Sequence, residues 1–332
     1  MGISYATPYR PPQPAVSPWT RTKMTWTAKG VTWPLTDPAS GLFLMPGVRG
    51  LGSITTERHA TSSPAVAGSR HEGNSVLDRS VFWPTHIFHD EGSEAWIKRD
   101  RAFWAGMDPD DTGVWTVFHP GGGVARSLRL RFRDDGDHTV TYDPVRYGWQ
   151  SYGINLLAER PHWEGNPVVQ SWKNPEYLPF FEPNGPHLFN IGSGADVKLA
   201  TIDNPGDAES FASWYIDGEA SEASVGVNGE IAHVPFPVPA GKCLVIESDP
   251  DRIGAIMYDV SPDELALGPD ERKKPSERII GVDLINPVDR TADLGEADFP
   301  PIPPGSKVKL SLTLEGTGTV EAMLPTLYRR PW

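Results

Sequence analysis

SEAWIKRDRAFWAGMDPDDTGVWTVFHPGGGVARSLRLRFRD, residues 93–134, decides how the first half of this 332-residue chain is read. Ser93 followed by acidic Glu94 is a helix-capping pair. Trp96, Ile97, Phe103, Trp104 and Met107 recur at three- and four-residue spacings, an apolar stripe against charged Lys98, Arg99, Asp100 and Arg101. Asp108-Pro109 ends the helix, because the residue before a proline is biased away from the α region. Val114-Trp115-Thr116-Val117-Phe118, the Pro120-Gly121-Gly122-Gly123 turn and residues 126–133 then predict a hairpin. On its second strand Leu128, Leu130 and Phe132 share one face and Arg129, Arg131 and Arg133 the other. One helix laid over a β framework is a scaffold, and no catalytic constellation lies in it.

Working outward, the composition agrees. Gly (33) and Pro (34) each supply about a tenth of the chain. With frequent Thr, Val and Trp and few helix-period runs, this predicts mainly β structure cut by many turns. The length suits two domains, each with its own core. The apolar runs are too short to span a bilayer, and neither a secretory leader nor a membrane anchor is expected. A formal charge of −13 argues against a surface that coats nucleic acid, although like charge lets DNA pass by without sticking. The single cysteine, Cys243, excludes an intrachain disulfide and a cysteine-based zinc site; its apolar strand Lys242-Cys243-Leu244-Val245-Ile246 predicts a buried, inert thiol.

Residues 1–23 are rich in Pro, Arg and Thr and predict an extended arm with little core. Tyr5, Tyr9 and Trp19 are its candidate anchors on a neighbouring subunit. Residues 24–165 form a β-rich unit with one helix. Its strands include Met24-Thr25-Trp26-Thr27 and Val31-Thr32-Trp33 around a Lys29-Gly30 turn, residues 52–59, residues 75–89 and a last strand at 152–159. Nine of the twelve Trp precede residue 165, a composition shift that marks a domain boundary there.

Residues 166–332 predict a sandwich of short strands at 168–172, 197–202, 211–216, 223–227, 230–234, 242–246, 253–258, 307–314 and 320–324. An exposed loop is expected near 261–278, where Pro, Asp, Glu and Lys dominate.

The chemical motifs resolve into structural ones. His86 and His89 lie at a strand end, where positions three apart point to opposite faces rather than to one metal. Asp134-Asp135-Gly136-Asp137-His138 lacks the spacing and terminal Glu of a calcium loop and reads as a turn. The glycines at 121–123 lack a following Lys-Ser/Thr and enter a strand, so no helix N-terminus receives a phosphate. No catalytic residue, metal site or cofactor is expected. The arginine face (Arg129, Arg131, Arg133) is the candidate subunit interface, since interfaces favour Arg and opposite charge gives register. Trp214 and Tyr215 are adjacent on one strand, so one is expected in the core and the other exposed. The exposed one is a platform for stacking on a sugar.

The order of these features resembles the siphophage distal tail proteins, the siphovirus-type tail component family. It is most similar to minor tail proteins of actinobacterial phages. The resemblance rests in the first half on Pro46-Gly47-Val48-Arg49-Gly50-Leu51-Gly52, on the Trp96 helix and on Gly113-Val114-Trp115-Thr116-Val117 with its glycine turn. It continues in the exit Leu156-Leu157-Ala158-Glu159-Arg160-Pro161-His162-Trp163-Glu164-Gly165. In the second half it rests on Ile202-Asp203-Asn204-Pro205-Gly206, Trp214-Tyr215-Ile216-Asp217-Gly218, Pro239-Ala240-Gly241-Lys242, Pro303-Pro304-Gly305-Ser306-Lys307 and the Arg329-Arg330-Pro331-Trp332 ending.

The resemblance implies a ring-forming N-terminal domain followed by a galectin-like β-sandwich. It also implies a structural virion protein at the distal tail tip, assembled in the host cytoplasm. Six copies would join the tail tube to the tail-tip hub and receptor-binding apparatus, with DNA passing through the lumen. The alternative is a carbohydrate-binding module for host cell-wall glycan, carried by Trp214 or Tyr215. The His-x-Asn-Pro-Arg and Trp-x-x-Glu-x-Arg patterns of sugar-binding galectins are missing.

Overall fold

The computed structural model describes residues 17–120, 125–136, 139–173, 200–268 and 271–332. Tyr5 and Tyr9 lie outside the described residues. The chain divides into two compact units: residues up to Trp163 together with Arg329–Trp332, and Glu164–Tyr328. The last four residues thus belong with the first unit, although the sequence places them in the sandwich. The cause is local: Arg79 and Arg126 each donate a guanidinium hydrogen bond to a backbone carbonyl of this tail, at Arg329 and Arg330.

The first unit comprises β1 (Lys23–Ala28), β2 (Val31–Pro34), β3 (Leu42–Leu44), β4 (Thr56–Ser63), β5 (Val66–Val76), β6 (Arg79–Phe88), α1 (Ser93–Trp104), β7 (Thr112–Phe118), β8 (Arg126–Asp134), α2 (Pro144–Tyr147) and β9 (Trp149–Ala158). At its exit comes the short β10 (Trp163–Glu164). The main sheet runs β2-β1-β7-β8-β9-β6-β3. Its two ends meet at Leu35, whose N–H bonds the Met24 carbonyl and whose carbonyl accepts the Leu44 N–H. The sheet therefore curls toward a barrel.

Lys29 (φ 48°) and Gly30 (φ 77°) both occupy the left-handed region, the geometry a two-residue hairpin between β1 and β2 demands. Inside the curl, Trp26, Trp83, Trp115 and Trp163 are fully buried and meet in sequence with ring centroids 5.2, 5.3 and 4.9 Å apart. Edge-to-face contacts of this kind add to the area buried.

Helix α1 is the predicted one, with two differences. Its N-cap is Gly92, without a side-chain cap bond, while the Ser93 hydroxyl donates to the Val145 carbonyl. It ends at Trp104, before Asp108-Pro109. Trp96 and Phe103 are buried, and Trp104 meets Phe132 and Tyr152 edge-on. The helix thus lies over the face formed by β8 and β9.

The second unit holds β11 (Val168–Lys173), β12 (Thr201–Asp203), β13 (Ser213–Asp217), β14 (Ala220–Val227), β15 (Glu230–Val234), β16 (Lys242–Glu247), β17 (Gly254–Val260), the short α3 (Pro262–Ala266), β18 (Leu284–Asp289), β19 (Lys307–Lys309), β20 (Thr313–Gly316), β21 (Thr319–Leu324) and β22 (Leu327–Tyr328). A six-stranded antiparallel sheet, β11-β21-β13-β16-β17-β18, faces the ribbons β15-β14-β20 and β12-β19. Trp214, Ile216, Leu244, Ile246, Val225, Ala232, Leu310 and Leu324 pack the core of this sandwich.

The single strand predicted over 307–314 is two. Lys307–Lys309 pairs with β12 and Thr313–Gly316 with β14, so the chain changes partner between them. Strand β18 lies in the 262–300 stretch that gave no strand signal.

Candidate interaction surfaces

Exposure decides where this molecule can act. Among the described residues no group of His, Cys, Asp and Glu is placed to hold a metal ion, and no helix is long and apolar enough to cross a membrane. His86 is buried in β6, its Nδ1 2.9 Å from the Ser151 hydroxyl. His89 accepts the Glu91 N–H at its own Nδ1. The two histidines thus have separate partners. Burial holds the His86 pKa down to about 4, so the ring is neutral.

The arginine face is where the alternation places it. Arg129 and Arg133 are exposed. Arg131 is half-buried and engaged within its own chain: it pairs with Glu159 at 2.9 Å and donates to the Pro109 carbonyl. Arg133 lies 3.2 Å from Asp134. Of the arm's candidate anchors, Trp19 is described; its indole N–H donates to the Leu44 carbonyl at 2.7 Å, which fixes Trp19 against β3.

Trp214 and Tyr215 require a correction. Both are buried, at 1% and 8% exposure, rather than one buried and one open. Strand β13 is central in its sheet, and its second face is covered as well. Tyr215, Cys243, Val245, Tyr258, Val260 and Leu284 form a smaller cluster there. The charged stretch that begins with α3 lies beside that cluster and is pinned at Glu264, Pro275 and Arg278, all buried, although most of its other described residues are exposed.

The pins are ionic. Arg278 grips Asp217 through two nitrogens at 2.7 and 3.0 Å, and the buried Glu264 carboxylate lies 3.8 Å away. Burial works against the Arg278 charge, but Asp217 outweighs it and holds the pKa above its ordinary value. Lys273 pairs with Asp283 at 2.6 Å. The fully buried Glu321 carboxylate accepts the Ser276 N–H and the Ser171 hydroxyl. Burial pushes the Cys243 thiol up, away from reactive thiolate.

Two features of the first unit go beyond the sequence reading, which placed strands at 52–59 and 75–89 but no ribbon between them. One is Arg79, 3% exposed, whose guanidinium donates to the carbonyls of Pro161, Gly50, Gly52 and Arg329 at 2.7–2.9 Å. The other is the β4–β5 ribbon. It pairs with no other strand among the described residues, and every side chain of β4 is exposed. Its cross-strand bonds are polar, such as His59 Nε2 with the Ser75 hydroxyl at 2.6 Å. An isolated two-stranded ribbon is at best marginally stable in water. This one is far longer than a turn needs.

No family model and no curated protein matches the chain. Solved structures do. SPP1 Dit (gp 19.1), described as a paradigm of the hub adsorption apparatus in Gram-positive infecting phages, matches with a TM-score of 0.55 over 91% of this chain and 98% of that one, at 12% identity. The chain has the Dit fold. The phage P2 baseplate in its activated conformation with Ca matches with a TM-score of 0.53 over 92% and 98% of the two chains, at 10% identity. The same baseplate with Sr gives 0.53 over 91% and 97%, also at 10%. In the Dit fold recognised here, both the curled first unit and the sandwich are covered by the match.

Proposed function

We propose that this chain is a structural protein of a phage tail tip, one that forms a ring, of six copies, at the distal end of a siphophage tail. The ring joins the tail tube to the tail-tip hub and receptor-binding apparatus. The single observation that carries the reading is the end-to-end likeness to SPP1 Dit, which spans both units rather than a lone sandwich. The β4–β5 ribbon adds support for self-association, because its open edges and the exposed side chains of β4 offer a surface that no other described strand covers. The exposed Arg129 and Arg133 are candidate contacts with the neighbouring copy, and heterologous contacts that repeat around an axis close into a ring.

Catalysis is not part of this reading. The carbohydrate alternative rested on an open Trp214 or Tyr215, and with both buried it is not carried forward.

Light scattering coupled to size-exclusion chromatography tests the ring directly. The expected result is a cyclic oligomer near six times the 36.4 kDa chain mass. A particle that stays monomeric at high concentration and fails to bind tail-tube protein overturns the proposal.

A further inference from the structure

Phe118 and Trp332 are large apolar side chains left 40% and 52% exposed on the first unit. They line one apolar groove of about 340 Å³ with Thr22, His119, Pro120 and Pro331. The groove is built from rigid parts. Phe118 is the last residue of β7 and pairs with Lys23, so the start of β1 forms one edge. The C-terminal wall is held by Arg126, which donates to the Arg330 carbonyl at 2.7 Å, and by buried Pro331. Aromatic rings set beside prolines make the surface on which polyproline segments dock, in the manner of other Pro-rich recognition grooves.

The chain carries a matching segment. Polyproline II has three residues per turn, so residues three apart fall on one edge. Tyr5, Pro8, Pro11 and Pro14 recur at that spacing, the register of a single edge in such a helix, while Arg10 and Gln13 fall in another register. Residues 1–16 lie outside the described chain, which begins at Ser17; Thr22, at the groove's rim, is only eight residues beyond Pro14. At about 3.1 Å per residue, the intervening chain reaches any part of the groove.

We infer that the Phe118–Trp332 groove is the docking site of the chain's own Pro-rich segment, residues 5–14, bound as a polyproline II strand with Tyr5, Pro8, Pro11 and Pro14 facing the aromatic walls. This pairing does not depend on the ring: it holds for an arm bound within one copy or exchanged between two.

Photo-cross-linking of the full chain tests it, with p-benzoylphenylalanine in place of Phe118 and the attachment point mapped by fragment mass spectrometry. Attachment within residues 5–14 is expected. In an equimolar mixture of isotopically light and heavy chains, mixed-mass products report exchange between copies, and uniform-mass products report an arm bound at home; either upholds the site. A Pro8→Ala/Pro11→Ala/Pro14→Ala variant is expected to keep the same Tm and lose roughly tenfold in cross-link yield. Attachment elsewhere, or a yield unchanged by the proline substitutions, overturns the inference. Cross-linking to the arm in a strictly monomeric protein upholds the groove and refutes the ring, and a ring whose groove never labels the arm does the reverse.

Discussion

At the scale of single residues, the molecule's least forgiving positions are buried charges that tie loops to sheets. Arg278→Met removes the cation that Asp217 and Glu264 share and leaves two poorly solvated carboxylates, Glu264 being 3% exposed. Breaking one partner of such a set costs about 3–5 kcal/mol. Urea unfolding of the second unit is expected to shift accordingly; a loss below ~1 kcal/mol would show that the segment after α3 is held by something else. His86 gives a pH signature of opposite chemistry. Its pKa is about 4 in the fold against an ordinary value of 6.5, so the unfolded chain binds the extra proton between those limits. Its contribution is complete above pH 6.5 and drains away as the pH falls toward 4, by about 3 kcal/mol in all. Denaturation curves at pH 7 and pH 4.5 are expected to show this loss in the parent chain and a flatter profile in His86→Gln. Neither role is visible in the sequence: a His between Thr85 and Ile87 and an Arg in a charged run carry no sign of what will bury them.

At the scale of elements, periodicity was legible wherever one face meets core and the other meets water. Helix α1, the β7–β8 hairpin and the Leu128/Leu130 face follow directly from their spacing. Spacing failed where a strand changes partner. Residues 307–314 alternate without a break, yet β19 and β20 serve different ribbons, with Leu310 bridging to Val227 where the partner changes. Glycines were informative only as turn residues, and Gly113 has another duty. A Cβ there would fall 2.2 Å from the Trp26 ring, so the residue exists to let the tryptophan pack across β7. Gly113→Ala is therefore expected to cost about 1–3 kcal/mol as an overpacked core, read as a lower Tm of the first unit. Of the β4–β5 ribbon only the parts within 52–59 and 75–89 were expected as strand, because β4 has no buried face and so no alternation to read.

At the scale of the whole molecule, assembly is the expected output. The arginine face tests how its copies meet. Because Arg131 is occupied by Glu159, the informative variant is Arg129→Glu/Arg133→Glu, which reverses charge on the two exposed positions and leaves the Arg131–Glu159 pair in place. Loss of the oligomer in light scattering, with an unchanged Tm, is the expected outcome. An intact oligomer removes these residues from the interface.

Local patterning was sufficient for the β-rich class, the helix and most strand positions. Each depends on neighbours a few residues away, and hydrophobic alternation records them. Tertiary structure alone decided the covered second face of β13 that buries Tyr215, the return of Arg329–Trp332 to the first unit, the four carbonyls on Arg79 and the groove between Phe118 and Trp332. These join residues up to 250 positions apart, as between Arg79 and Arg329. A contact at that separation is set by how layers stack and close, and no window of sequence contains it. The stretch at 93–134 shows both sides: its spacing determined a helix and a hairpin, while packing turned the end of that hairpin's first strand into one wall of a binding groove.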